Sequence, residues 1–308
     1  MKNQIKIFCP ATVANVSCGF DALGFALEAV GDVMTFTKTE TKAIRITKIN
    51  VDSLPKETDK NCASAVAKIM LEDAKANFGV DIEIHKGYKS GSGLGSSASS
   101  SAGAAFAINY FLNNYFTEQQ CLKYAMYGEQ VACGSPIADN VSACLLGGFV
   151  LIRSYEPLDV RQLPVPNDLM VSVIHPQIEI KTQDARDILP KDIPITNAIT
   201  QWANVGGLIS GLYENDYDLI GKSLVDVVAE PYRKTLIPNF DTVKEHALNA
   251  GALGVGISGS GPSIFALSKG LTTAKAVAEA MTNVYKTTDI EYKTYVSKIN
   301  LKGVHLID

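Results

Sequence analysis

The stretch GSGLGSSASSSAGAA, residues 91 to 105, constrains this chain more than any other. Glycines fall at 91, 93 and 95, and the residues that follow are almost all serine and alanine. Just upstream, Val80, Ile82 and Ile84 alternate with Asp81, Glu83 and His85, the period of two expected of a half-buried strand. Downstream, Ala102, Phe106 and Leu112 recur at helical spacing among alanines, the strongest helix formers. The stretch therefore reads as strand, glycine loop and helix start, with Ser96 and Ser97 placed to cap the helix through their hydroxyls. Two uses are open to such a loop. The free amides and positive dipole end of a helix attract an anion, and glycine lets the backbone approach a phosphate closely, which would make a nucleotide-phosphate cradle. Alternatively, a Gly/Ser turn simply joins two elements, and a glycine cluster alone does not separate these readings.

Size and charge narrow the class. A chain of 308 residues suggests one large or two ordinary domains, and 46% hydrophobic with 19% charged residues describes a globular protein with ample core. A net charge of −4 with scattered basic residues favours neither nucleic acid nor an anionic membrane as partner. No apolar run approaches the ~20 residues that span a bilayer, and the first residues, MKNQIKIFCP, lack a signal peptide's apolar region, so the cytoplasm is expected. The six cysteines show no C-x-x-C pair, which suggests reduced, mostly buried thiols, with Cys18 set apart in a polar loop.

Along the chain, strands are expected at IKIF, DVMTFTK and AIRITKI, and a helix over NCASAVAKIMLEDAKANFG. A second helix, capped by Thr117 with Gln120 in the reciprocal position, follows the glycine-loop helix. A short helix at IADNVSACLL then leads to the strand GGFVLIR. Three prolines between about 154 and 168 mark the expected domain boundary, giving an N-terminal domain over 1–155 and a C-terminal domain over 156–308. The final strand is a candidate to return to the first domain. In the second half a long helix is expected from about Asn197 to Glu214, and the strands GVGIS and SIFAL enclose the turn GSGP. Strands and helices without regular alternation argue for two α+β domains rather than one doubly wound sheet.

Several common chemistries find no support. No G-x-x-x-x-G-K-[ST] loop exists, and the G-x-G-x-x-G at Gly254, Gly256 and Gly259 is followed by a strand pattern where a dinucleotide fold needs a helix. There is no G-x-S-x-G elbow, and the four histidines lie far apart in sequence, which gives hydrolase chemistry little encouragement.

Three stretches together resemble the GHMP kinase superfamily of small-molecule kinases: GSGLGSSAS as its phosphate loop, ATVANVSCGFDALGFAL as its N-terminal substrate motif and GVGISGSGPSIFAL as its C-terminal glycine turn. Asn15, the Phe20-Asp21 pair, ADNVSACLLGGF, KTQDARDILP and EPYRKTLIP are similar to the branch that acts on homoserine. The likeness is collinear over most of the chain. It implies a two-domain GHMP kinase fold, with an N-terminal ribosomal-protein-S5-domain-2-like half and a ferredoxin-like C-terminal half. It also implies an ATP- and Mg²⁺-dependent enzyme that phosphorylates the side-chain hydroxyl of L-homoserine in threonine biosynthesis, as a homodimer.

Phosphoryl transfer asks a protein to align ATP, a divalent cation and an acceptor hydroxyl, and to neutralise charge on the moving group. The resemblance gives nucleotide binding to Lys89, Gly91, Ser92, Gly93, Leu94, Gly95, Ser96 and Ser97, and the metal to Ser97 and Glu129, hard oxygen ligands of the kind Mg²⁺ takes. It gives the acceptor to Asn15, Asp21, Asp139, Asn140, Arg186, Arg233 and Gly259. Acidic and amide oxygens suit an ammonium, and guanidinium forks suit a carboxylate. Glu129, Asp139, Thr182 and Arg186 are the expected catalytic set, with the use of a general base left open. The sequence departs from the family pattern in three places. Lys86 and Lys89 occupy the segment where a proline usually precedes the phosphate loop, Cys18 replaces a proline, and Ile137 replaces a histidine. A sugar or isoprenoid alcohol as acceptor, or a non-catalytic nucleotide sensor, are the alternatives.

Overall fold

A computed structural model describes residues 2–307. Two sheets organise it. The first has seven strands in the order β11-β1-β2-β4-β3, with β5 also pairing β2 and β6 pairing β5. Its strands are β1 (Gln4–Ala14), β2 (Leu23–Thr39), β3 (Ile44–Ile49), β4 (Gly79–His85), β5 (Phe149–Tyr155), β6 (Leu158–Leu163) and β11 (His305–Ile307). All pairs are antiparallel except β3 with β4. The second sheet is antiparallel, β10-β7-β9-β8, built from β7 (Leu169–Pro176), β8 (Gly254–Ile257), β9 (Ile264–Lys269) and β10 (Tyr292–Lys298).

Helices α1 (Cys62–Asp73), α2 (Ser96–Phe111), α3 (Glu118–Cys133) and α4 (Asp139–Leu146) accompany the first sheet. The expected Thr117/Gln120 capping box is present at the start of α3. Helix α2 is buried nearly all round, and its small side chains are the reason it can be. A Cβ added to Gly103 would stand 2.5 Å from Cys9 Sγ and 2.7 Å from Met34 Sδ, so the helix lies directly on β1 and β2. The poverty of bulk in residues 91–105 is a packing requirement as well as a loop requirement.

Helices α5 (Thr182–Asp187), α6 (Ile195–Glu214), α7 (Tyr217–Ser223), α8 (Glu230–Arg233), α9 (Phe240–Asn249) and α10 (Leu271–Tyr285) complete the second half. Alternate residues of its central strands face opposite ways, as the period of two requires. Val171, Val173, Phe265 and Leu267 enter a cluster shared with Val13, Phe25 and Phe149 of the first sheet. Ile174, Ile264 and Ala266 pack instead with α9 and α10. The halves therefore meet through an apolar seam centred on Phe25, whose ring lies 4.7 Å from that of Phe149 and 5.9 Å from that of Phe265. Removing such a side chain costs roughly 3–5 kcal/mol.

Two features differ from the sequence reading. Strand β1 runs on through Ala14 rather than ending at Phe8, with an irregular register between Pro10 and Thr12 that accommodates a proline inside a strand. The boundary expected between 155 and 156 falls inside the β5–β6 hairpin, and the first sheet continues through Leu163. Prolines at 157, 164 and 166 flank a strand here, not a long linker. The last strand, β11, does pair with β1.

Candidate active site

Between β4 and α2, Gly91, Gly93 and Gly95 all take left-handed backbone conformations, with φ of 70°, 77° and 70°. Side chains rarely adopt that region, so the glycines are needed for the path of the chain as well as for space. Ser96 and Ser97 do not cap the helix as expected. Gly95 occupies the cap without a side-chain hydrogen bond, and the two serines are the first helical residues. The first amides of α2 are thus free of any capping side chain and can bind an anion.

The loop is held from both halves. Thr12 N donates to Leu94 O at 3.0 Å, and the Leu94 side chain is buried in the apolar seam. From the C-terminal glycine turn, Ser258 Oγ donates to Gly93 O at 2.7 Å and Ser263 N to Ser92 O at 3.2 Å. Gly259 thus belongs to a turn that receives the phosphate loop, Gly256 lies in β8 before it, and the strand after them is β9.

A cleft of about 530 Å³ opens over this loop. It gathers every residue the sequence reading selected except two: Leu94, whose side chain turns into the core, and Lys89. Lys89 is exposed beside the loop and is not among the residues that line the cleft. Of the three lysines that do line it, Lys60, Lys86 and Lys181, only Lys86 is buried. Its ammonium is buried, forms a salt bridge with Asp32, and donates to Ser96 O at 2.7 Å and Ser100 Oγ at 3.2 Å. Asp32 also accepts from Gly87 N at 3.0 Å, yet burial outweighs these partners and raises its carboxyl above the usual range. The pair ties the end of β4 to the first turn of α2.

Two further carboxylates lie in the cleft wall. Glu129, near the end of α3, is 5% exposed, and Asp139, at the start of α4, is 2% exposed. Burial pushes Glu129 up to about 7, an effect the Ser97 hydroxyl offsets and Asp139 reinforces. Burial and the nearby Asp21 charge push Asp139 up to about 7 as well, against hydrogen bonds from Asn140. Glu129 Oε1 has no hydrogen-bond partner. An unpartnered buried carboxylate oxygen and a hydroxyl beside free helix amides fit a hard divalent cation. Among the described residues no group of three or more His, Cys, Asp or Glu could hold a metal ion by itself.

The other end of the cleft is built by residues 15–21. Asn15, Val16, Ser17 and Asp21 all have positive φ, a conformation that costs of order 1–3 kcal/mol per residue and persists only where the surroundings enforce it. Asn15 does part of that work, with Nδ2 donating to Gly259 O at 2.9 Å and Oδ1 accepting from Asp21 N at 3.0 Å. Cys18 is fully buried in the apolar seam rather than presented in a polar loop, and burial pushes its thiol up to about 12. Arg186, near the end of α5, donates from Nη2 to Asp21 at 3.1 and 3.2 Å. Arg233, at the end of α8, gives Nε to Ala185 O at 3.0 Å and Nη1 to Gly259 O at 2.9 Å, with its guanidinium 4.9 Å over the Phe20 ring. Thr12 Oγ1 donates to Asn140 Oδ1 at 2.6 Å and so fixes that amide. Thr182, the first residue of α5, also lines the cleft.

Sequence reasoning passed over Thr12, Ser258 and the Lys86–Asp32 pair. The pair did carry a signal. Lys86 continues the inward series Val80, Ile82, Ile84, and Asp32 interrupts the inward series Val30, Met34, Phe36 on the neighbouring strand. Opposite charges at inward positions of adjacent strands are worth seeking.

Models of the GHMP kinase N-terminal domain and of the GHMP kinase C-terminal region match residues 61–148 and 208–287. A homoserine kinase of Chlorobium phaeovibrioides is 45% identical over 318 residues, spanning 99% of each chain. One from Methanococcus maripaludis is 42% identical over 268 residues, covering 86% of this chain and 88% of its own. The crystal structure of homoserine kinase from Cytophaga hutchinsonii superposes with a TM-score of 0.96 at 50% identity, covering 100% of this chain and 98% of that one.

Proposed function

The chain belongs to the homoserine kinases of the GHMP kinase family, and from that premise we propose how its cleft phosphorylates the side-chain hydroxyl of L-homoserine with ATP. The observation that carries the proposal is that one cleft holds both the uncapped amides of α2 and, facing them, the Asp21–Arg186 pair with Arg233. The first set suits a triphosphate. The second suits a small zwitterion, with Asp21 for its ammonium and the two guanidinium groups for its carboxylate.

In this reading the amides from Gly93 to Ser97 hold the phosphates, and Lys86 keeps the first turn of α2 in place beneath them. Ser97 and Glu129 would hold Mg²⁺, which supplies charge neutralisation on the phosphate oxygens. The acceptor oxygen attacks the γ-phosphorus as the bond to the bridging oxygen of ADP breaks. Its proton passes to Asp139 or to water, since for a loose transition state alignment and electrostatics outweigh early deprotonation. Thr182 and Arg186 steady the transferring group from the α5 side. Phosphorus NMR of a reaction with ATP, Mg²⁺ and homoserine tests the proposal. A new phosphomonoester resonance coupled to the homoserine γ-methylene is expected, and ATP loss without it would refute the proposal.

The same proposal includes work in the cytoplasm and as a homodimer. No helix among the described residues is long and apolar enough to cross a membrane. What supports a second copy is the uncharged exposed face of α6, where Ile195, Ile199, Trp202 and Tyr213 are exposed along one side. Sedimentation of Trp202→Glu is expected to give half the wild-type mass, and equal masses for the two proteins would remove this part.

A further inference from the structure

The opposite side of α6 carries a row of amide side chains at one-turn spacing, and they reach a single extended segment. Asn197 Nδ2 donates to Val227 O at 3.3 Å, and Asn204 Nδ2 to Val225 O at 3.1 Å. Between them, Gln201 accepts from Val227 N at 3.0 Å through Oε1 and donates from Nε2 to Asp226 Oδ1 at 3.0 Å. Gln201 alone of the three reaches further. Its Nε2 also donates to Cys18 O at 2.8 Å, in the turn that carries Asn15 and Asp21. The orientation of this amide is fixed by its neighbours, because Val227 N can only donate and the other two partners can only accept.

Asp226 carries the connection onward. Its carboxylate accepts from Val228 N at 2.8 Å, Ala229 N at 2.9 Å and Glu230 N at 2.9 Å, which orders the chain entering α8. Arg233 N then bonds Ala229 O at 3.0 Å, so the arginine hangs from the turn that Asp226 secures. One side chain thereby joins the two elements that would grip opposite ends of an amino-acid acceptor.

We infer that Gln201 is a positioning residue for the acceptor, setting the distance between the strained 15–21 turn and Arg233 while contacting neither substrate. The inference rests on the proposed function, since it takes the turn and Arg233 as the two grips on homoserine. Misplacing a grip by an ångström is felt in acceptor binding, whereas the phosphate loop is held by Thr12, Ser258 and Ser263 and is independent of this amide.

Steady-state kinetics of four variants, Gln201→Met, Asn204→Leu, Arg233→Lys and the Gln201→Met/Arg233→Lys double, test it. Gln201→Met keeps the volume and removes all three hydrogen bonds. Its KM for homoserine is expected to rise about tenfold or more, with KM for ATP within about twofold of wild type. Asn204→Leu cuts a bond to the same segment that does not extend to the turn, and both constants are expected to stay within about twofold. Arg233→Lys added to Gln201→Met is expected to raise the homoserine KM by less than it does in the wild-type background, because the two changes disable one device. An unmoved homoserine KM in Gln201→Met, an equal rise in Asn204→Leu, or full additivity would each overturn the inference. Should Gln201→Met fail to fold, Gln201→Glu retains the acceptor for Val227 N and loses the donor to both Cys18 O and Asp226 Oδ1. It is expected to show the same selective rise, and a normal homoserine KM there would also overturn the inference. Wild-type protein that turns over no homoserine would defeat the proposed function itself. Wild-type turnover with an unmoved Gln201 variant removes only this inference.

Discussion

Arg186 and Asp21 form an ion pair across the acceptor end of the cleft, with Nη2 3.1 Å from Oδ2 and 3.2 Å from Oδ1. Each is about one-third exposed, so the pair is accessible to an incoming molecule. A zwitterion can replace both partners at once, giving its ammonium to Asp21 and its carboxylate to Arg186. A molecule with only a carboxylate would strand Asp21 without a cation, a loss comparable to leaving a polar group unpaired. Asp21→Asn is therefore expected to raise the KM for homoserine at least about tenfold. The same change should narrow the preference for homoserine over 4-hydroxybutanoate, which lacks the ammonium. Competition kinetics with both acceptors check this, and an unchanged preference would show that Asp21 does not read the ammonium.

Glu129→Gln is expected to lower turnover by roughly 100-fold or more, the scale of losing one key electrostatic partner. The same change should make the nucleotide-free protein more stable. Burial holds the wild-type carboxyl up to about 7 against an ordinary 4.5, so the folded state binds this proton more tightly than the unfolded chain. Wild-type stability from this group is full below about pH 4.5 and is lost as the pH rises through about 7. A shift of that size costs roughly 3 kcal/mol at most once the group is ionised. Denaturation of the two proteins should coincide near pH 4.5 and favour the glutamine variant at pH 8. Wild-type turnover in the variant would remove the proposed metal role.

Gly93→Ala should be more damaging than the loss of a flexible linker residue. Its φ is +77°, and a Cβ there would stand 2.4 Å from Ser258 O and 2.7 Å from Gly261 O. Gly134 has a φ of +79° with nothing within 4 Å of the same position, so Gly134→Ala incurs only the conformational cost of roughly 1–2 kcal/mol. Chemical denaturation should give Gly93→Ala a clearly larger loss than Gly134→Ala, accompanied by weaker ATP binding. Equal losses would mean that the two glycine turns do not hold each other.

How much of this was legible beforehand depended on whether a residue's signal is local. The strand, loop and helix around residues 80–112 declared themselves because each obeys its own short period. The path through Pro10–Ala14 did not, because a proline and then an irregular register disguise a strand whose pairing partner, β2, lies elsewhere in the chain. Lys89 suits a glycine loop by its position alone, whereas the buried place of Lys86, the residue after β4, shows only in its continuing that strand's inward alternation. Ser96 and Ser97 suit a cap by type, yet Gly95 in a left-handed conformation occupies that position and leaves the amides free. Gln201 had no signal at all. Its importance lies in joining Cys18 to Asp226, contacts 183 and 25 residues apart in the chain.

The central claim is that this cleft selects a small amino-acid alcohol for phosphorylation. ADP release measured with homoserine, mevalonate, galactose and shikimate as acceptors, at equal ATP and Mg²⁺, tests it most directly. Release is expected with homoserine and at background level with the other three. Faster release with any of those three, or none with homoserine, would contradict the account.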